Sequence, residues 1–151
     1  MNSILGSTIL VRGARLADGT GTDILVRDGR VAELGSTLSS PNATVIDAAG
    51  LLALPGLVDL HTHLREPGFE QSETVLSGSR AAAIGGFTAV HAMANTAPVA
   101  DTAGVVEQVQ SLGEAAGYVT VRPIGAVTAG LEGVRLAEIG AMARSRSAVR
   151  V

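Results

Sequence analysis

The alternation of apolar and polar residues changes near residue 55 and divides the chain into two parts. Residues 8 to 55 contain three segments rich in β-branched residues, TILVRGARL, TDILVRDGRVAELG and ATVIDAAGLLAL, separated by turn dipeptides such as Asp18-Gly19 and Ala49-Gly50. The dipeptide Asp28-Gly29 predicts a β-hairpin, because Asp-Gly tolerates the positive φ that a two-residue turn requires. The first part is therefore predicted to be a small β unit.

After residue 55, strand-like runs alternate with helical patterns. The strand candidates are GLVDLHTH, FTAVHAMA and YVTVRPIGAV, and SAVRV at the end of the sequence indicates the start of a fourth strand. Three helices are predicted between them. The first begins at Ser72 as N-cap and ends at Gly85-Gly86, and the second begins at Asp101 and ends near Gly117. The third covers residues 133 to 145, with Leu136, Ile139 and Met142 on one apolar stripe.

This alternation predicts right-handed βαβ units and a parallel sheet. Two arrangements fit, an open doubly wound sheet and a closed eight-fold barrel. The loop HLREPGFEQ after the first strand has no glycine-rich phosphate-binding pattern, which disfavours the open nucleotide-binding sheet. Because a barrel needs about 250 residues, the expected fold is a (β/α)8 TIM barrel of which only the first three to four βα units are present.

Composition excludes several classes of function. The net charge of −3 gives no basic footprint for nucleic acid or an anionic membrane. The most apolar window, AAGLLALPGLV, is far shorter than the ~20 residues of a membrane span, and Arg12 and Arg15 interrupt the region where a signal peptide would be apolar. The chain has no cysteine, so any metal must be held by His, Asp or Glu. We expect a soluble, cytoplasmic protein.

The candidate chemistry lies on one face of the first strand after residue 55. Side chains of a strand alternate between faces, so Asp59, His61, His63 and, if the strand continues that far, Arg65 share one face. Val58, Leu60, Thr62 and Leu64 share the other, which we expect to lie under the helices while the polar face points into the barrel mouth. Barrel active sites lie at this C-terminal end of the strands.

Two imidazoles two residues apart on one face can bind the same divalent cation, typically Zn²⁺. Asp59 could orient one of them from behind. A bare H-x-H is a weak signal, and two ordinary polar histidines are the alternative. For His91, in the second strand, and for Glu66, which precedes Pro67, structural roles are expected.

These residues resemble a known family. Pro55-Gly56-Leu57-Val58-Asp59-Leu60-His61-Thr62-His63 resembles the signature of the amidohydrolase superfamily, and Leu64-Arg65-Glu66-Pro67-Gly68 is similar to dihydroorotases. Ala92-Met93-Ala94-Asn95-Thr96 resembles the family's M-P-N-T loop, with Ala94 in place of proline. By this resemblance, residues 1–54 are the N-terminal part of a β-sandwich domain and residues 55–151 the N-terminal part of the metal-dependent barrel.

The resemblance implies reversible, zinc-dependent cyclisation of N-carbamoyl-L-aspartate to L-dihydroorotate plus water, in pyrimidine biosynthesis. His61 and His63 would hold one of one or two zinc ions, and Arg65 and Asn95 would bind the substrate carboxylate. A bridging ligand, further histidines and an aspartate acid/base are implied beyond residue 151. We therefore expect the chain as given to have no substantial activity and to bind metal weakly if at all. A homo-oligomer or an association with aspartate carbamoyltransferase would follow from the same resemblance.

Two other functions stay open. A hydantoinase, dihydropyrimidinase or allantoinase would share the H-x-H pair, but the R-E-P-G stretch and the asparagine loop favour a substrate with a carboxylate. A non-catalytic scaffold subunit is the second alternative, although such a protein would typically lack His61, His63, Arg65 or Asn95.

Overall fold

Within residues 8–55, the N-terminal unit forms one five-stranded sheet. The structure is a computed structural model that describes residues 8–146, and the chain divides into two compact units, Met1–Pro55 and Gly56–Val151. The strands of the first unit are β1 (Thr8–Leu16), β2 (Gly21–Arg27), β3 (Arg30–Gly35), β4 (Thr44–Asp47) and β5 (Leu52–Ala53). Their order is β3-β2-β1-β4, with β5 also paired to β1.

The predicted hairpin is confirmed. β2 and β3 are antiparallel and joined by Asp28 and Gly29, whose φ angles are 51° and 73°. Leu10 and Leu25 lie opposite each other in the β1–β2 register and are fully buried. The carboxylate of Asp23 accepts hydrogen bonds from the backbone N–H of Gly13 at 2.8 Å and of Leu38 at 3.0 Å, and the same two bonds lower the pKa of that carboxyl.

The C-terminal unit consists of parallel βαβ units, as the alternation predicted. Its strands are β6 (Leu57–Thr62), β7 (Phe87–Ala92) and β8 (Thr120–Pro123), paired in parallel in that order. The helices are α1 (Val75–Ile84), α2 (Ala103–Ala116) and α3 (Ile139–Arg144), with a short 3-10 turn at Ala129–Leu131.

Small residues let the helices approach the sheet. Val75 of α1, Val90 of β7, Val109 of α2 and Val121 of β8 belong to one buried cluster. A Cβ at Gly113 of α2 would lie 2.7 Å from a methyl carbon of Val121, so only glycine permits this approach. The core is therefore built from aliphatic side chains and close backbone contacts.

Both predicted N-caps were wrong. The N-cap of α1 is Thr74 and not Ser72, because the hydroxyl of Thr74 accepts the N–H of Ser77 and the Ser77 hydroxyl accepts the N–H of Thr74. The N-cap of α2 is Thr102. The carboxylate of Asp101 accepts the N–H of Gly130 at 2.8 Å and is thereby directed away from the helix.

The third helix is shorter than predicted. It begins at Ile139, while Leu136 forms an antiparallel bridge with Thr128 and is 67% exposed. Leu136, Ile139 and Met142 have helical spacing, but Gly133 has a φ of 74° and the bridge holds this stretch extended. Only Met142 of the stripe is fully buried. The third strand is confined to residues 120–123, and the predicted fourth strand lies outside the described residues.

The apolar face of β6 is only partly covered. Leu64 is buried as predicted, but Val58 and Leu60 are 52% and 68% exposed. The prediction that these two residues lie under helices was wrong for the described chain, since β6 is the edge strand of its sheet and α1 packs against β7 and α2. In the described part of the chain, no helix has both the length and the apolar character needed to cross a membrane.

Candidate functional site

Three of the predicted site residues lie at the C-terminal ends of two neighbouring parallel strands. His61 is the penultimate residue of β6, His63 follows that strand, and Asn95 follows β7. The rings of His61 and His63 have centroids 5.2 Å apart and an interplanar angle of 67°. The two imidazoles therefore lie beside one another, as binding of one shared cation would require.

A hydrogen bond joins the two strand ends. Nδ1 of His63 lies 2.8 Å from Oδ1 of Asn95, across a separation of 32 residues in sequence. Because an amide oxygen can only accept, Nδ1 of His63 is the donor in this contact, and the neutral ring keeps an unprotonated Nε2.

The pair fits part of a zinc site. Zinc sites use four ligands, or three protein ligands and a water. Within residues 8–146, no cluster of three or more His, Cys, Asp or Glu side chains could hold a metal. His61 and His63 thus supply two suitable nitrogen donors, and a complete site needs donors from elsewhere.

Asp59 supports the backbone of the first histidine. Its carboxylate accepts the backbone N–H of His61 at 2.9 Å, and this bond is the main reason that the pKa of Asp59 is lowered. The expected contact of Asp59 with an imidazole is not among the described hydrogen bonds. Asn95 contacts the ring of His63 instead, and no local sequence pattern indicates a contact between residues 32 positions apart.

His91 joins β7 to β6. Its Nδ1 lies 3.2 Å from the carbonyl oxygen of Asp59, and its side chain is half-buried. This contact agrees with the structural role expected for His91.

The loop after β6 is fixed at both ends. Arg65 has a φ of 63°, which is uncommon for a residue other than glycine, and it turns the chain away from the strand. Its carbonyl accepts the N–H of Phe69 at 2.9 Å. The carboxylate of Glu66 accepts the N–H of Val75, the first residue of α1, at 2.7 Å. Glu66 thereby ties the loop to a helix N-terminus, where a carboxylate is favourable.

The same loop contacts the loop after β7. The N–H of Ala97 donates to the carbonyl of Pro67 at 2.9 Å. Gly68 has a φ of 101°, and a Cβ there would collide with the carbonyl oxygen of Ala97 and lie 2.6 Å from its Cβ. The absence of a side chain at Gly68 is what allows the two loops to meet and brings Arg65 near Asn95.

Arg65 and Asn95 line one open cavity of about 550 Å³ together with Phe69 and Ser72. This volume suits a small ligand. The sequence pattern predicts Ser72 as a helix cap and indicates no role for Phe69, since no local pattern signals that a loop residue lines a cavity.

Sequence comparison identifies related proteins. The model of the family described as Dihydro-orotase-like matches residues 50–149. A protein of Leifsonia xyli subsp. xyli named dihydroorotase is 75% identical over 144 residues, which are 95% of this chain and 33% of that protein. The dihydroorotase of Mycobacterium tuberculosis is 51% identical over 95% of the chain and 34% of its own length. The chain thus spans about a third of the length of these relatives.

Solved structures share the fold. An L-hydantoinase (dihydropyrimidinase) from Arthrobacter aurescens superposes with a TM-score of 0.70 at 30% identity, covering 82% of this chain and 29% of that chain. N-isopropylammelide isopropylaminohydrolase from Burkholderia multivorans superposes with a TM-score of 0.61 at 23% identity, covering 79% of this chain and 37% of that one. The second likeness concerns the fold alone.

Proposed function

Because the chain belongs to the dihydro-orotase-like family, as a dihydroorotase homologue that covers the N-terminal portion of its relatives, we propose that it supplies part of a dihydroorotase active site. The reaction is the reversible, zinc-dependent cyclisation of N-carbamoyl-L-aspartate to L-dihydroorotate. The observation that supports it most is the cavity that Arg65 and Asn95 line, because Asn95 also contacts His63, whose ring lies beside that of His61.

The proposed fold of the complete protein is a (β/α)8 barrel. Three parallel βα units are present, and the edge strand β6 leaves Val58 and Leu60 exposed. In a closed barrel the first strand pairs with the last, and helices cover its outer face. We propose residues 55–151 as the first part of this barrel and residues 1–54 as part of a β-sandwich domain.

His61 and His63 would hold one zinc ion through ring nitrogens. When bound, zinc lowers the pKa of a coordinated water to about 7 and polarises the reacting carbonyl. The bridging ligand, further histidines and the aspartate acid/base would come from the two thirds of the relatives' length that this chain does not span. On its own, the chain is expected to bind zinc weakly and to lack substantial activity.

Arg65 and Asn95 would hold the carboxylate of the substrate that does not react. The planar guanidinium of Arg65 can donate two parallel hydrogen bonds to a carboxylate, and the amide of Asn95 offers a neutral donor beside it. Fixing this group orients the carbamoyl nitrogen and the reacting carboxyl toward the histidines. The fixed loop geometry around Gly68 and Glu66 keeps the two donors in place.

A hydantoinase-type cyclic amidase is the second candidate, favoured by the structural likeness to L-hydantoinase. Hydantoins lack the carboxylate for which Arg65 is suited, and the relatives at 75% and 51% identity are named dihydroorotases. A scaffold subunit without activity is the third. Cytoplasmic location, and assembly as a homo-oligomer or with aspartate carbamoyltransferase, remain predictions.

The test uses a fusion in which this chain replaces the N-terminal third of the Leifsonia xyli relative, here called the completed protein. It should contain zinc and cyclise N-carbamoyl-L-aspartate, and Arg65→Ala should raise KM for that substrate. Asn42→Ala, at an exposed position in a turn of the N-terminal unit, is the matched surface control and should leave kcat and KM unchanged. Preferential hydrolysis of hydantoin or allantoin would replace the proposal by the second candidate, and a folded completed protein without zinc would favour the third.

A further inference from the structure

We propose that Asn95 works with both ends of its amide, its carbonyl oxygen fixing the ring of the zinc ligand His63 while its NH₂ group binds the substrate carboxylate. This inference rests on the proposed function and adds a coupling between zinc binding and substrate binding. The contact that supports it is the 2.8 Å hydrogen bond between Oδ1 of Asn95 and Nδ1 of His63.

The orientation of the amide and the tautomer of the imidazole determine each other. With Oδ1 toward His63, Nδ1 must carry the proton and Nε2 keeps its lone pair for a metal. With the amide reversed, NH₂ would donate to Nδ1, and the neutral ring would then carry its proton on Nε2, where it blocks coordination. Only the first arrangement makes His63 a ligand through Nε2.

The same arrangement directs the donor end of Asn95 away from His63. Among the described hydrogen bonds none involves Nδ2 of Asn95, and the residue is exposed and lines the cavity with Arg65. A carboxylate in that cavity needs donors, and NH₂ supplies one next to the guanidinium. A bound carboxylate and a bound zinc ion therefore favour the same amide orientation, so each should strengthen the binding of the other.

The loop after β7 holds the backbone of Asn95 in a fixed position. Its neighbours Ala94 and Thr96 are buried, and the Thr96 hydroxyl donates to the carbonyl of Pro98 at 2.8 Å. The N–H of Ala100 donates to the carbonyl of Ala94 at 3.0 Å and closes the loop. The backbone thus holds Asn95 between His63 and the cavity, as a positioning residue for the zinc ligand.

The experiment compares two substitutions at position 95 in the completed protein. The zinc dissociation constant is measured by competition with a chelator, and KM is measured with N-carbamoyl-L-aspartate. Asn95→Ala removes both ends of the amide and should weaken zinc binding by about 10-fold or more while also raising KM. Asn95→Asp keeps an acceptor for Nδ1–H, so zinc binding should return to within about 3-fold of the parent, but its negative charge repels the substrate and KM stays raised.

Arg65→Ala and Asn42→Ala are the controls. Arg65→Ala should raise KM without changing the zinc dissociation constant, and Asn42→Ala should change neither. The inference is overturned if Asn95→Ala binds zinc as tightly as the parent, or if Asn95→Asp loses zinc as badly as Asn95→Ala. If the parent fusion binds zinc but does not cyclise the substrate, the proposed function fails, while the zinc constants of the two variants still decide the role of Asn95 toward His63.

Discussion

Gly68 offers the sharpest test of how the site is assembled, because its missing side chain lets the loops after β6 and β7 meet. In Gly68→Ala the new Cβ would lie 2.6 Å from the Cβ of Ala97, where ordinary contacts are 3.4 to 4 Å. The loops must therefore separate by roughly 1 Å, and the atoms that resist are backbone atoms of Ala97. The φ of 101° adds strain for any residue with a side chain.

The expected cost has two parts. Overpacking of this kind costs about 1 to 3 kcal/mol, and an unfavourable backbone conformation about 1 to 3 kcal/mol more, so the C-terminal unit should lose several kcal/mol of stability or relax by parting the loops. A displacement of about 1 Å between Arg65 and Asn95 can reduce the rate by roughly 100-fold. We expect kcat/KM of the completed protein to fall by about 10- to 100-fold, mainly through KM, while zinc content is retained.

Gly86→Ala is the matched control. Gly86 has a φ of 84°, but no atom lies within 4 Å of the position of its Cβ, and it precedes β7 while Asn95 follows that strand. It should lose about 1 kcal/mol of stability with unchanged KM. If Gly68→Ala changes KM no more than Gly86→Ala does, the loop contact does not position the substrate-binding residues.

Three further predictions concern stability and are checked by thermal or denaturant unfolding. In α2, the new Cβ of Gly113→Ala would collide with Val121 of β8, so this variant should lower the free energy of unfolding by about 1 to 3 kcal/mol. Gly104→Ala, with open space around its Cβ, should be neutral or stabilising by up to about 1 kcal/mol. Equal effects of the two variants would contradict the tight packing of α2 on β8. Glu66→Gln should lower the free energy of unfolding by about 1 kcal/mol, because the Glu66 carboxylate binds the N-terminus of α1. An unchanged unfolding midpoint would show that this bond does not stabilise the unit. Because the pKa of Asp23 is lowered, its carboxylate stabilises the folded state above its ordinary pKa, and this stabilisation is lost as pH falls through the lowered pKa. Asp23→Asn should therefore flatten the acid side of the curve of unfolding free energy against pH for the N-terminal unit. An unaltered curve would refute this.

The strands and the hairpin could be predicted because their signals are local. Apolar alternation defines β1 to β3, and Asp28-Gly29 defines the turn. The start of α1 could not, since Ser72 and Thr74 lie two residues apart and both are residue types that cap helices. The choice of Thr74 depends on its reciprocal bonds with Ser77 and on the Glu66 carboxylate at the first helical N–H.

In the candidate site, the pairing within one strand could be predicted, but the contact between strands could not. Strand parity placed His61 and His63 together, and the rings do lie side by side. The bond between His63 and Asn95 joins residues 32 positions apart, and no periodicity reports such a contact. The exposure of Val58 and Leu60 was missed because strand parity tells which residues share a face, but not whether anything in the chain covers that face.

The most direct test of the account is anomalous diffraction at the zinc edge from crystals of the completed protein. We expect a zinc peak about 2.0 to 2.1 Å from a ring nitrogen of both His61 and His63, with Nδ1 of His63 still hydrogen-bonded to Asn95. A fully occupied zinc site that uses neither of these two rings would contradict it.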